Sequence, residues 1–229
     1  MLIPCIDLQN GQAVQLVHGR RRELAVDDVM GLLNRFSAYE WLHVIDLDAA
    51  MRKGHNNRLV GQLSVEAHRR FHLKVRVGGG IRTVARAKAL LRLGVTQIII
   101  GSAAFKNGHP NLPFVNRLAS AIGKRHLIVA LDTDKGRIVT HGWRTRLTID
   151  PREVFGALAP YCAGFLCTDV DREGTMTGVN LRWFRSLREA TGHSIIAAGG
   201  ISTSREIRAL EKIGMHAAVG MALYKNRIR

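Results

Sequence analysis

The chain has 229 residues, 46% of them apolar, with 34 Lys and Arg against 18 Asp and Glu for a formal charge of +16, and three cysteines. That length is ample for one large α/β core, and no apolar run approaches the ~20 residues of a membrane span. The start MLIPCIDLQ has neither the charged n-region nor the long apolar stretch of a signal peptide, so a cytoplasmic protein with no membrane association is expected.

Taken in chain order, short β-rich runs fall at residues 2–7, 41–46, 74–77, 97–100, 127–132, 164–168, 194–197 and 216–219. Between them lie amphipathic patterns such as TVARAKALLRL at 83–93, with apolar residues three and four apart as a helix requires. Gly94 and Gly214 follow two of these patterns, where a left-handed C-cap is wanted. Strand–helix alternation implies βαβ units and a parallel sheet. The strands fill the chain without a linker, so the fold class is α/β, a single (β/α)8 TIM barrel spanning 1–229. A doubly wound sheet would need a G-x-G-x-x-G fingerprint after its first strand, and the chain has LQNGQAVQL there. Only nine residues follow Gly220, so the last helix is short.

An internal repeat supports the barrel. IDLQNGQAV aligns with LDTDKGRIV, placing Asp7 and Asp132, and likewise Gly11 and Gly136, 125 residues apart. Gly79-Gly80-Ile81 falls on Gly199-Gly200-Ile201 at a separation of 120, and Gly101-Ser102-Ala103-Ala104 on Gly220-Met221-Ala222-Leu223 at 119. Two half-barrels, approximately 1–123 and 124–229, are expected.

Functional residues of such a barrel gather where the strands end at their C-terminal side. Asp7 and Asp132 end strands 1 and 5 and face each other across the mouth, where one can serve as base and the other as acid. Glycines end strands 3, 4, 7 and 8, each just before a helix. Gly79, Gly80, Gly101 and Ser102 would form one phosphate cradle of backbone N–H groups, and Gly199, Gly200, Gly220 and Met221 another. The loop TDVDREGTMTG at 168–178 offers Thr168, Asp169 and Glu173 to orient hydroxyls or tune an acid. Trp143, in the hairpin after strand 5, could stack on a planar heterocycle or serve as core, and Arg82 could orient substrate. The ten histidines show no ligand spacing, so neither metal nor cofactor is expected. Cys5, Cys162 and Cys167 lack redox or zinc spacing and read as small buried hydrophobes. The expected partner is a small bisphosphate with its reacting centre between the carboxylates. Scattered Lys and Arg without an aromatic-interleaved stripe read as a solvated surface rather than a nucleic-acid site.

Over essentially its whole length the chain resembles the phosphoribosylformimino-AICAR ribotide (ProFAR) isomerase family of histidine biosynthesis. The motifs that carry the likeness are IPCIDLQNGQAV, RVGGGIRT, IIIGSAAFKNG, ALDTDKGRIVTHGW, TDVDREGTMTGVN, AAGGIS and GMALYKN. The resemblance implies a cofactor-free and metal-free Amadori rearrangement of an aminoaldose to an aminoketose, with Asp7 as proton acceptor and Asp132 as proton donor. A monomer is expected. Glu173 stands where the family usually has Asp, Gln15 where it commonly has Arg, and Met221 where a polar or basic residue is usual. Arg20, Arg21 and Arg22 lie close enough in sequence to replace the charge missing at Gln15. The sister cyclase, imidazole glycerol phosphate synthase, would have Lys at Gln15 and no HGW in its hairpin. The same motifs would suit a bifunctional isomerase that acts on phosphoribosyl anthranilate as well, and the charge by itself would suit a catalytically idle nucleic-acid-binding barrel.

Overall fold

The strand at the chain's start sets the pattern for the rest. Successive side chains of a strand point to opposite faces. Ile3 belongs to a cluster inside the barrel with Cys5 packed against it, whereas Ile6 and Leu8 belong to the larger core under the helices. The computed structural model describes residues 1–228. Its parallel strands are β1 (Leu2–Gln9), β2 (Trp41–Asp46), β3 (Lys74–Gly78), β4 (Gln97–Ile100), β5 (Leu127–Asp134), β6 (Gly164–Asp169), β7 (Ser194–Ala198) and β8 (His216–Val219). Each pairs with the next in sequence, and pairing of Leu2–Pro4 with Ala217–Val219 closes β8 onto β1. The result is a (β/α)8 TIM barrel.

Helices α1 (Val29–Arg35), α2 (Asn57–Phe71), α3 (Val84–Arg92), α4 (Leu112–Ile122), α5 (Pro151–Leu158), α6 (Leu181–Ala190), α7 (Ser204–Lys212) and α8 (Met221–Tyr224) follow the strands in turn. The periodicity expected at 83–93 is α3, with Thr83 as its N-cap: the hydroxyl accepts from the Arg86 N–H at 3.2 Å. Gly94 and Gly214 have φ of +90° and +73°, as left-handed helix ends require. Among the described residues, no helix is long and apolar enough to cross a membrane.

Strands β1 and β5 run two residues beyond the expected ends, because each continues into an antiparallel hairpin above the barrel rim. β1 pairs with Gln12–Val17, which pairs with Arg21–Val26. β5 pairs with Arg137–Thr140, which pairs with Thr145–Arg146. The loop at 168–178 holds one 3-10 turn at Val170–Arg172.

Backbone conformation repeats with the sequence. Gly101 and Gly220 have φ/ψ of −108°/−98° and −107°/−95°, and the N-caps Thr83 and Thr203 have −139°/150° and −139°/152°. Between the halves, Gly123 ends α4 at φ +83° and a 3-10 turn at Lys124–His126 leads into β5.

Inside the barrel, Ile3, Ile99, Ile128, Leu166, Ile196 and Ala218 fill the middle. Toward the N-terminal end of the strands, the Arg76 guanidinium lies 3.6 Å from the Trp41 ring centroid and donates to Gln97 Oε1 at 2.6 Å. Burial lowers its pKa to about 10. Next to it, His43 is held well below its ordinary pKa, first by burial and then by the Arg76 charge.

Candidate active site

The ends of all eight strands surround a cavity of about 230 Å3, lined by Asp7, Asp132, Thr168, Glu173, Trp143 and the first glycine cradle, among others. A smaller cavity of about 20 Å3 lies beside it, lined by the second cradle. Glu173, Ala218 and Gly220 line both, so the two spaces adjoin.

Asp7 is the inward residue near the end of β1, opposite Val14 of its hairpin. Burial pushes its carboxyl up to about 7. Asp132 is its counterpart on β5. Burial raises its pKa too, while hydrogen bonds from Trp143 and Thr168 pull it back down. The Trp143 indole N–H donates to Asp132 Oδ2 at 2.8 Å. Glu173 is pushed up to about 8, chiefly by burial and then by the negative charges of Asp7, Asp132 and Asp169. Three carboxyls therefore share one pocket, and at neutral pH Glu173 holds its proton.

In each cradle one glycine is pressed against a neighbouring strand's backbone. At Gly79, with φ +94°, a Cβ would run into the Asp46 carbonyl oxygen, and at Gly199, with φ +103°, into the Asp169 carbonyl oxygen. The turn after β3 is thus pressed onto the end of β2, and the turn after β7 onto the end of β6. Gly80 and Gly200, at φ +65° and +75°, complete each turn. Amides at the start of a helix have no intrahelical partner, and they suit an anion. After Gly220, Met221 is 5% exposed and lines the smaller cavity.

Ser102 and Arg82 have structural contacts as well as places on the wall. The Ser102 hydroxyl accepts from the His141 N–H at 2.7 Å, latching the tip of the second hairpin. The Arg82 guanidinium donates to the Ala49 and Ala50 carbonyls at 3.1 and 3.0 Å, bracing the short helix Leu47–Met51 at the end where cations are favoured. Asp169 does not join the pocket: its carboxylate lies 3.6 Å from Arg172 Nε. Cys162 and Cys167 are buried, as expected for small hydrophobes, but Cys5 is half-buried on the cavity wall. It faces inward from the same strand as Asp7, and burial with the Asp7 charge drives its thiol well above the ordinary range.

The loops above the mouth interlock. The His18 N–H donates to the Glu173 carbonyl at 2.9 Å, and the Trp143 ring lies against Gly19, leaving no room for a Cβ there. Gln15, on the first hairpin, is 3% exposed and lines the cavity, and its Nε2 has no hydrogen-bond partner.

Sequence reasoning missed a buried network behind Asp7. Asn56 Nδ2 donates to Asp46 Oδ1 at 2.8 Å and Asp48 Oδ2 at 2.9 Å, while its Oδ1 accepts from the Gly11 N–H at 2.9 Å. The signal that could have revealed it is a repeated D-x-D, Asp46-Leu47-Asp48 and Asp169-Val170-Asp171, 123 residues apart. No group of three or more His, Cys, Asp or Glu among the described residues is arranged to hold a metal.

A family profile described as "Histidine biosynthesis protein" matches residues 1–229. Similar curated proteins include one from Methanocaldococcus jannaschii, 34% identical over 100% of this chain and 95% of the relative. Others come from Geobacillus kaustophilus, at 34% over 99% and 93%, and Natronomonas pharaonis, at 37% over 98% and 92%. All three are named 1-(5-phosphoribosyl)-5-((5-phosphoribosylamino)methylideneamino)imidazole-4-carboxamide isomerase. With full-length matches at this identity and a barrel of the expected architecture, the chain belongs to the histidine biosynthesis protein family.

Proposed function

We propose that this chain is a ProFAR isomerase, rearranging the aminoaldose ProFAR into the corresponding aminoketose. The observation that carries the reading is the pair Asp7 and Asp132, ending β1 and β5 on one cavity whose glycine turns repeat on either side. A substrate with a phosphate at each end fits across the mouth, one phosphate on Gly80 and Gly101–Ser102, the other on Gly200 and Gly220–Met221. Its aminated ribose then lies between the carboxylates.

Asp132 gives a proton to the ribose ring oxygen, the C1–O bond breaks and a Schiff base forms at C1. Asp7 removes the C2 proton to give the enolamine. Return of a proton to C1 and loss of the one on the C2 hydroxyl leave the ketone, so atoms and charge balance without any external reactant. A base titrating at about 7 is matched to neutral pH. The Trp143 bond keeps Asp132 oriented and offsets part of its burial. Protonated Glu173 can donate to a substrate hydroxyl from the third side of the pocket.

Both carboxylates and both cradles come from one chain, which supports a monomer whose working partner is the bisphosphate. The phosphorylated substrate favours the cytoplasm as its location. The test is an absorbance assay with ProFAR run beside one with phosphoribosyl anthranilate. Turnover of ProFAR is expected. No turnover of ProFAR, with or without turnover of the anthranilate, would overturn the assignment.

A further inference from the structure

We propose that Asp48 and Asp171 are a matched pair of positioning residues, each clamping through one backbone N–H the hairpin that grows out of a carboxylate-bearing strand. This deepens the isomerase reading and rests on it for its catalytic consequence. Asp48 Oδ2 accepts from the Asn10 N–H at 2.6 Å, and Asp171 Oδ2 accepts from the Lys135 N–H at 2.6 Å.

The geometry on the two sides is the same. Asn10 and Lys135 are the first residues of two-residue hairpin turns, with φ +51° and +50°, followed by Gly11 and Gly136 at +77° and +73°. In such a turn the ladder closes between the flanking residues, Gln9 with Gln12 and Asp134 with Arg137, and the central N–H groups point away from it. They need an outside acceptor. A carboxylate supplies the stronger, charge-assisted kind. Asp48 and Asp171 each stand two residues beyond the last residue of β2 or β6, the neighbours of β1 and β5 in the sheet.

Each hairpin delivers groups to the mouth, so its tilt is set where its turn is held. The first carries Gln15 and Gly19, both on the cavity wall. The second carries Trp143, which holds Asp132 directly. The halves differ in support: Asp48 is 5% exposed and braced by Asn56, whereas Asp171 is exposed and no counterpart of Asn56 bonds to the Gly136 N–H. Ser102 also holds the second hairpin at His141, but its Lys135–Gly136 turn depends on Asp171.

Because Asp171 is exposed, Asp171→Ala should fold, and Asp171→Asn keeps an acceptor oxygen without the charge. Amide hydrogen exchange of the 133–146 segment is measured alongside kcat and KM for ProFAR. For Asp171→Ala, exchange about tenfold faster in that segment and kcat about tenfold lower with KM within about twofold are expected. Asp171→Asn should stay within about threefold of the parent in both. Unchanged exchange in Asp171→Ala, unchanged kcat despite faster exchange, or equal impairment of the Ala and Asn variants would overturn the proposal. If the parent protein itself does not turn over ProFAR, the isomerase reading fails while the exchange arm still decides whether the clamp exists.

Discussion

Asp7 and Asp132 are chemically alike and differently furnished. Nothing bonds strongly to the Asp7 carboxyl, so burial alone sets it at about 7. Asp132 has the Trp143 indole at 2.8 Å to restrain it. Asp7→Asn and Asp132→Asn are each expected to lower kcat by about 10³-fold, with affinity for the bisphosphate product within about threefold, as measured by steady-state kinetics and calorimetry. Asp7 also leaves a mark on stability. Its carboxyl titrates at about 7 in the fold and near 3.8 when free, so between those values the folded state binds the extra proton and stability falls as pH rises. Asp7→Asn removes that cost. The variant is expected to melt above the parent at pH 8, by roughly 2–4 °C for each kcal/mol recovered, with the gap closing toward pH 4. Thermal scans at both values check the sign, and a gap that widens on acidification would contradict it.

At the scale of elements, the glycine turns show how the sequence writes a site into the backbone. Gly79 combines φ +94° with contact against the Asp46 backbone, whereas Gly11, at φ +77°, has open space where a Cβ would go. Gly79→Ala is therefore expected to cost over ~2 kcal/mol in chemical denaturation, and Gly11→Ala about 1 kcal/mol from strain alone. Equal costs would show that the press of the β3 turn onto β2 is unimportant. Strand ends and glycine turns were legible because apolar runs such as Gln97–Ile100 and the repeated Gly-Gly carry their own signal. The third strand of the first hairpin was not: Arg21-Arg22-Glu23 is charged, and a partly solvated ladder needs no apolar pattern. Arg82 illustrates the same limit. A basic residue beside a Gly-Gly turn reads as one that orients substrate, and only the fold reveals that it also braces Ala49 and Ala50. The bond between Trp143 and Asp132 spans two turns of a hairpin whose path the residues do not spell out.

Across the whole molecule, the internal repeat runs with the symmetry of the site. The Asp pair and the glycine pairs could be found in the sequence because the offset between repeats is nearly constant, while the cross-contacts among loops, such as His18 with Glu173, have no repeat to expose them. A chain carrying +16 would draw an anionic substrate by a field that salt screens. Raising ionic strength from ~0.02 to ~0.5 M is expected to lower kcat/KM about tenfold and leave kcat unchanged; a fall in kcat alone would assign the charge another purpose. The most direct test of the central claim is a crystal structure of the Asp7→Asn variant soaked with ProFAR. The account predicts one phosphate on the amides around Gly80 and Gly101, the other on those around Gly200 and Gly220, and residues 7 and 132 on opposite sides of the opened ribose. Both phosphates in one half-barrel, or either carboxylate position turned away from the sugar, would contradict it.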